Sequence, residues 1–330
     1  MVKGFGCSHA LFCWRNYCDS CGVGQLKYNI ALIVANLLFG ISFSFYVSLV
    51  ESGITFQQIF MLQVVVGALC FVPFSIASSR SYKITVEDFG TIFIVALIVI
   101  YGWLYMLLWG ASQTSPIDAS MIATLGPVFT LFVAHILSPQ PISWIKTIGA
   151  FVAIAGALAL ITDKNHNLLA TTQGAFGNVL VLCAVVAIAS NTVLIHSQLR
   201  RYGAMTVIGW YYLIGLVMTV PFFWGELKHL VEGWHSIVVI GELFYVTLLG
   251  MVLPMWLLYV GAENLTAVHT ALYRYIQPAI ATVLAIVRGQ NRLDRANIIG
   301  AVLIFSGVVF VVAGNIISRR VLSTTKRKAT

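Results

Sequence analysis

Charge is what this sequence lacks. Only 9% of its 330 residues are Asp, Glu, Lys or Arg, while 59% are hydrophobic. Soluble domains carry about 25% charged and about 45–50% apolar residues. So few charges cannot give a folded core of this size a polar skin, which excludes a soluble enzyme. The same composition excludes disorder, collagen and a coiled coil. Acid is the scarcest class: 11 Asp and Glu stand against 19 Lys and Arg, for a net charge of +8. No GxSxG, no HExxH and no carboxylate dyad is present, so an integral membrane enzyme has none of the usual chemistry to work with. An interleaved basic and aromatic surface is also missing, and nucleic acid is not expected as a partner.

Long apolar runs are abundant. A helix needs about 20 mostly apolar residues to cross the hydrocarbon layer. Ten windows qualify, at 29–49, 57–77, 89–109, 116–138, 143–162, 174–196, 206–224, 237–258, 267–287 and 295–316. The fold class expected is all-α integral membrane, with a lipid bilayer as its surroundings. Ten spans put both termini on one side. Placing the termini in the cytoplasm puts 13 of the 19 basic residues inside, as the positive-inside rule prefers. The expected location is the plasma (cell inner) membrane. Residues 1–28 form a separate cysteine-rich tail with Cys7, Cys13, Cys18 and Cys21 around His9. One Cys18-x-x-Cys21 pair is a weak metal signal, and neither a metal nor a cofactor is expected. Residues 317–330 form a basic tail.

The chain also repeats itself. A shift of 151 aligns Gly110–Gly156 with Gly261–Gly307, pairing Gly110/Gly261, Pro127/Pro278, Gly149/Gly300 and Gly156/Gly307. A shift of 148 pairs Gly67/Gly215 and Pro73/Pro221. The chain therefore reads as two five-helix repeats, 29–162 and 174–316. An odd number of spans inverts the second, which is the architecture of carriers that bind solute between the repeats. A channel or a scaffold could use ten helices too, but would leave the inversion without a purpose.

Asn36-x-x-Phe39-Gly40 in the first span, the Pro127 and Pro278 spans, and the Ile148-Gly149-Ala150 and Ile299-Gly300-Ala301 spans together resemble the EamA-type drug/metabolite transporters. The resemblance implies ten helices, cytoplasmic termini and a central cavity lined by the first four helices of each repeat. It also implies export or exchange of small metabolites such as amino acids. Members commonly carry Gly-Glu after the fourth helix of each repeat; here those places read Ser138-Pro139 and Gly289-Gln290.

One charge falls deep inside a window: Arg274. Burying it costs at least ~2.5 kcal/mol on insertion scales, so such a residue normally faces a cavity and serves a function. Thr270, Arg274, Gln277 and Ala281 recur at helical spacing as one small, polar stripe. Arg274 is expected to hold an anionic group such as a carboxylate. Tyr101 and Tyr105, one turn apart with Trp109 beyond them, are candidates to stack on the solute. Asn36, Gly40 and Ser44, their counterparts Asn191 and Thr192, and Gln63 suit either helix packing or cavity lining. Asp118 follows Ser115-Pro116, a helix-start signature, and reads as part of a cap. The remaining acids, including Glu51, Glu242 and Glu263, are expected in loops or first turns. With no carboxylate at mid-membrane, facilitated or exchange-type efflux is favoured over tight cation coupling. The substrate-binding set is thus Arg274, Gln277, Tyr101, Tyr105, Asn36 and Thr270, and the partner a small-molecule solute.

Overall fold

Inside lipid, an unpaired backbone amide costs several kcal/mol, so apolar windows can fold only as helices or closed barrels. The computed structural model shows helices, with no strand among the described residues. These are 23–77, 84–137, 148–152, 154–156, 172–232, 236–265, 270, 273–289, 298–299, 302–303, 305–307 and 309–310.

The elements are α1 (Val23–Glu51), α2 (Phe56–Ala77), α3 (Val86–Ala111), α4 (Pro116–Ile136), α5 (Thr172–Leu194), the short α6 (His196–Tyr202), α7 (Ala204–Glu232), α8 (Ile237–Asn264) and α9 (Tyr273–Val287). Seven helices among the described residues are long and apolar enough to cross a membrane, and α9 is a shorter apolar helix. The chain is a multi-pass membrane protein. The windows 143–162 and 295–316 fall largely outside the described residues, as do the cysteine-rich and basic tails.

Helix ends follow local chemistry. Thr85, Ser115 and Ser236 each cap a helix, the side-chain oxygen accepting from the amide three residues on. Pro116 occupies the first turn behind Ser115 and Asp118 follows, so the cap expected from sequence is formed. Ser115→Ala should cost about 1 kcal/mol, read as a lowered melting temperature of the purified chain. At the other end of the first helix, Gly53 adopts φ 89°, which lets the Ile54 amide donate back to the Leu49 carbonyl at 3.0 Å. Gly203 adopts φ 83° after α6, the matching place in the second repeat.

The repeats exchange partners. α1 packs on α8 and α9, α5 packs on α3 and α4, and α2 packs on α7. The first helix of each repeat thus lies against the third and fourth helices of the other. Close approach is bought with glycine: a Cβ on Gly110 would lie 2.7 Å from the Gly177 carbonyl oxygen, and one on Gly261 would lie 2.5 Å from Leu32 Cδ2. Both glycines sit at equivalent places of the third helices, against equivalent stretches of the first. Each third helix also contains an eight-residue π-helical segment, Ile98–Tyr105 in α3 and Tyr245–Val252 in α8.

Candidate functional site

The helices enclose a cavity whose walls come from both repeats. Phe39, Ser42, Phe43 and Tyr46 on α1, Trp103, Leu104 and Leu107 on α3, and Ala123 on α4 form one side. Val185 and Ile188 on α5, Met251 and Leu258 on α8, and Arg274 and Gln277 on α9 complete it. Apolar and aromatic groups dominate, and Arg274, Gln277 and Ser42 are the polar exceptions. A second, smaller cavity is lined by Asn191, Thr192, Tyr259, Thr270 and Arg274 among others. Arg274 and Leu258 belong to both, so the arginine stands at their junction.

Arg274 lies in a short 3-10 turn, Tyr273–Tyr275, that leads into the α-helical part of α9. Its side chain lies against Gly126, where a Cβ would meet Arg274 Cδ at an ordinary contact distance of 3.4 Å. Tyr259 and Tyr275 are its electrostatic neighbours, and no carboxylate reaches it among the described residues. A cation at a cavity wall, with no acid beside it among the described residues, can pair with an anion that enters the cavity.

Gln277 is positioned from the first repeat. Its Nε2 donates at 2.7 Å to Asn36 Oδ1, while Asn36 Nδ2 donates at 2.7 Å to the Leu32 carbonyl. Asn36 is fully buried and supports the cavity from behind its wall. Gly40, one turn further along α1, lets that helix approach Gln277 closely: a Cβ there would lie 2.8 Å from the Gln277 carbonyl oxygen. Thr270 is buried and lines the smaller cavity. Asn191 donates to the Tyr259 hydroxyl at 3.0 Å and accepts from Tyr211 at 3.2 Å, fixing a tyrosine beside the arginine. Gln63 ties three helices together by donating to the Tyr46 hydroxyl at 3.1 Å and the Val246 carbonyl at 2.8 Å.

Tyr101 and Tyr105 are not among the cavity-lining residues. They pack in an aromatic cluster with Phe60 and, for Tyr105, Phe223 at 5.7 Å, and the Tyr101 hydroxyl meets Thr219 Oγ1 at 3.2 Å. The stripe does mark one face of α3, but that face packs on α2 and α7 rather than on the cavity. Trp103 and Leu104 face the cavity instead, and Met251 does so from the equivalent segment of α8. Sequence reasoning missed all three.

Glu242 is the other correction. It lies in the second turn of α8, 5% exposed, rather than in a loop or first turn. Arg288, the residue after the 267–287 window, caps α9 and turns back to form an ion pair with it. The arginine guanidinium also lies 4.5 Å from the Phe45 ring centroid.

The sequence profile of the EamA-like transporter family matches residues 26–162 and 175–313. The chain belongs to this family. The two matched stretches are the two repeats, and the inverted architecture read from Gly and Pro positions agrees with them. Among EamA relatives, a WAT1-related protein of Arabidopsis thaliana is 23% identical, with 79% of each chain covered. Protein PecM of Dickeya dadantii is 24% identical over 69% of this chain and 75% of its own. A probable terminal-alkyne amino-acid exporter of Streptantibioticus cattleyicolor is 23% identical over 68% of this chain and 73% of its own. One solved crystal structure shares the fold, with a TM-score of 0.59 at 16% identity, covering 89% of this chain and 98% of the other.

Proposed function

We propose that this EamA-family protein is a secondary carrier that moves a small organic anion, with both termini cytoplasmic and export as its direction. The single observation behind this reading is Arg274, a cation with no acid beside it among the described residues, at the junction of two cavities built from both repeats. The solute's charged end binds Arg274 and Gln277, with Thr270 beside them, while its apolar body lies against Phe39, Phe43, Trp103 and Met251. A site so apolar, with a few convergent polar groups, suits a solute that pairs one anionic end with a hydrophobic remainder. Alternating access follows from the partner exchange: when the repeats rock, the faces between α1 and α8–α9 and between α5 and α3–α4 change together.

Saturable counterflow of a carboxylate in proteoliposomes tests the carrier. Flux that saturates, and that an internal pool of the same solute accelerates, is the expected result. Large unitary currents in single-channel recordings would instead mark a channel. Because Arg274 needs no titrating carboxylate to bind an anion, collapsing the pH difference alone should leave exchange at or near its full rate. Loss of exchange on that treatment would show proton coupling.

A further inference from the structure

Among the described residues, two acid–arginine pairs join the repeats outside the cavity, and they lie at opposite ends of the bundle. The first is at the end where α1 terminates in Glu51. Ser48 of α1 donates to Glu242 Oε1 at 3.0 Å, and Arg288 of α9 pairs with the same oxygen while reaching Ser48 Oγ at 3.4 Å. Phe45 of α1 lies under the guanidinium and packs on Tyr245 of α8 with centroids 4.7 Å apart. The second contact is at the end where α3 begins. Asp88 of α3 accepts from Arg201 and from the Tyr202 hydroxyl, each at 2.5 Å. Burial, and then the carboxylate itself, raise the Tyr202 hydroxyl above its usual range, so it remains a donor at neutral pH.

The two contacts are related as the repeats are. Each takes an acid from the opening turns of one repeat's third helix and ties it to the end of the other repeat's first helix, reached through α6 in the second case. The inversion places one at each membrane face. At the Glu51 end the Thr55 hydroxyl also donates to Glu226 in the last turns of α7 at 3.4 Å. Neither contact is a stiff strut. Arg201 is 59% exposed, and exposed pairs are weak. At the buried contact, Glu242 Oε2 and Arg288 Nη1 have no hydrogen-bond partner, and a buried pair repays its desolvation only when its remaining polar atoms are satisfied. Contacts between the repeats that are strong enough to bias a state and weak enough to break are what a rocking carrier needs at its two ends.

We infer that Glu242 with Arg288 and Ser48, and Asp88 with Arg201 and Tyr202, are the two gates of this carrier, each holding its own end shut and breaking when that end opens. This rests on the alternating-access reading above. Both gates are formed in this structure.

The test reads accessibility without any solute. In a full-length, cysteine-free chain, Ser42→Cys places a reporter on the cavity wall, and a membrane-impermeant maleimide is applied to one face at a time. Glu242→Gln should raise labelling from the Glu51 end by about tenfold, the change given by a bias of about 1.4 kcal/mol, and lower it from the other. Asp88→Asn should do the reverse by about two- to fivefold, because its pair is screened by water. The exchange Glu242→Arg with Arg288→Glu should return labelling toward the parent pattern. Equal changes from both faces, or none, would overturn the gates, since a loosened fold has no preferred face. If Glu242→Gln fails to insert, the charge exchange and Asp88→Asn carry the same readout. A reporter that no variant exposes from either face would count against the carrier itself, whereas an exposed reporter indifferent to both variants would sink only the gates.

Discussion

Arg274→Ala should insert at least as well as the parent chain and lose about 10- to 100-fold in apparent affinity for anionic solutes. Insertion is favoured because the substitution removes a charge that costs at least ~2.5 kcal/mol within a membrane helix. Affinity falls because a hydrogen bond to a charged group is worth about 1.5–3 kcal/mol, and among the described residues no second cation lines either cavity. Arg274→Lys keeps the charge but not the planar fork, and should recover part of the loss. The measurement is the concentration dependence of counterflow, with surface expression as the control. Unchanged affinity for every carboxylate the parent transports would remove Arg274 from the site. Asn36→Ala should weaken binding by a smaller factor, since it frees the Gln277 amide without touching the solute.

The second large effect is expected at Gly110. A methyl group there meets backbone on both sides, 2.7 Å from the Gly177 carbonyl oxygen and 2.9 Å from the Val181 amide nitrogen. Backbone in the middle of α5 cannot give way without moving the helix. Overpacking of this kind typically costs 1–3 kcal/mol, and Gly110→Ala belongs at or above the upper end. Gly261→Ala makes the equivalent change in the other repeat, but the three nearest atoms it meets all belong to the Leu32 side chain, which has rotamers to choose from. The expected order of melting temperatures is parent, then Gly261→Ala, then Gly110→Ala. Equal losses at the two positions would show that the Leu32 side is as rigid as backbone.

Much of this architecture was legible because its signals are backbone signals. Gly110 and Gly261 repeat because the third helix of each repeat must approach the first helix of the other, and only glycine permits it. Ser115-Pro116 announced a helix start, and the structure has one there. Arg274 and Gln277 stood out because a polar side chain in an apolar window needs a reason, and both reach the cavity. What stayed hidden has an equally physical cause. Tyr101 and Tyr105 mark one face of α3, and nothing local says that this face meets α2 and α7 rather than the cavity. Glu242 and Arg288 are 46 residues apart, and neither carries any sequence mark that they meet behind α1. Pairing between distant side chains is a tertiary fact, whereas a cap or a close-packed glycine is written locally.

The π-segment of α3 makes chain length more forgiving there than in the rest of the helix. Removing one residue from Ile98–Tyr105 would let the helix return to ordinary four-residue bonding. The wider turns of that segment take up about one residue, so the deletion would leave Met106 to Ala111 facing nearly as before, with Gly110 still against α5. What would change is the segment itself, whose remaining side chains would be dealt anew between the cavity and the neighbouring helices. A deletion in the ordinary α-helical turns of α3 would instead rotate everything downstream by about 100°. The π-segment is therefore the stretch of α3 where the chain can lose a residue and keep its interface between the repeats.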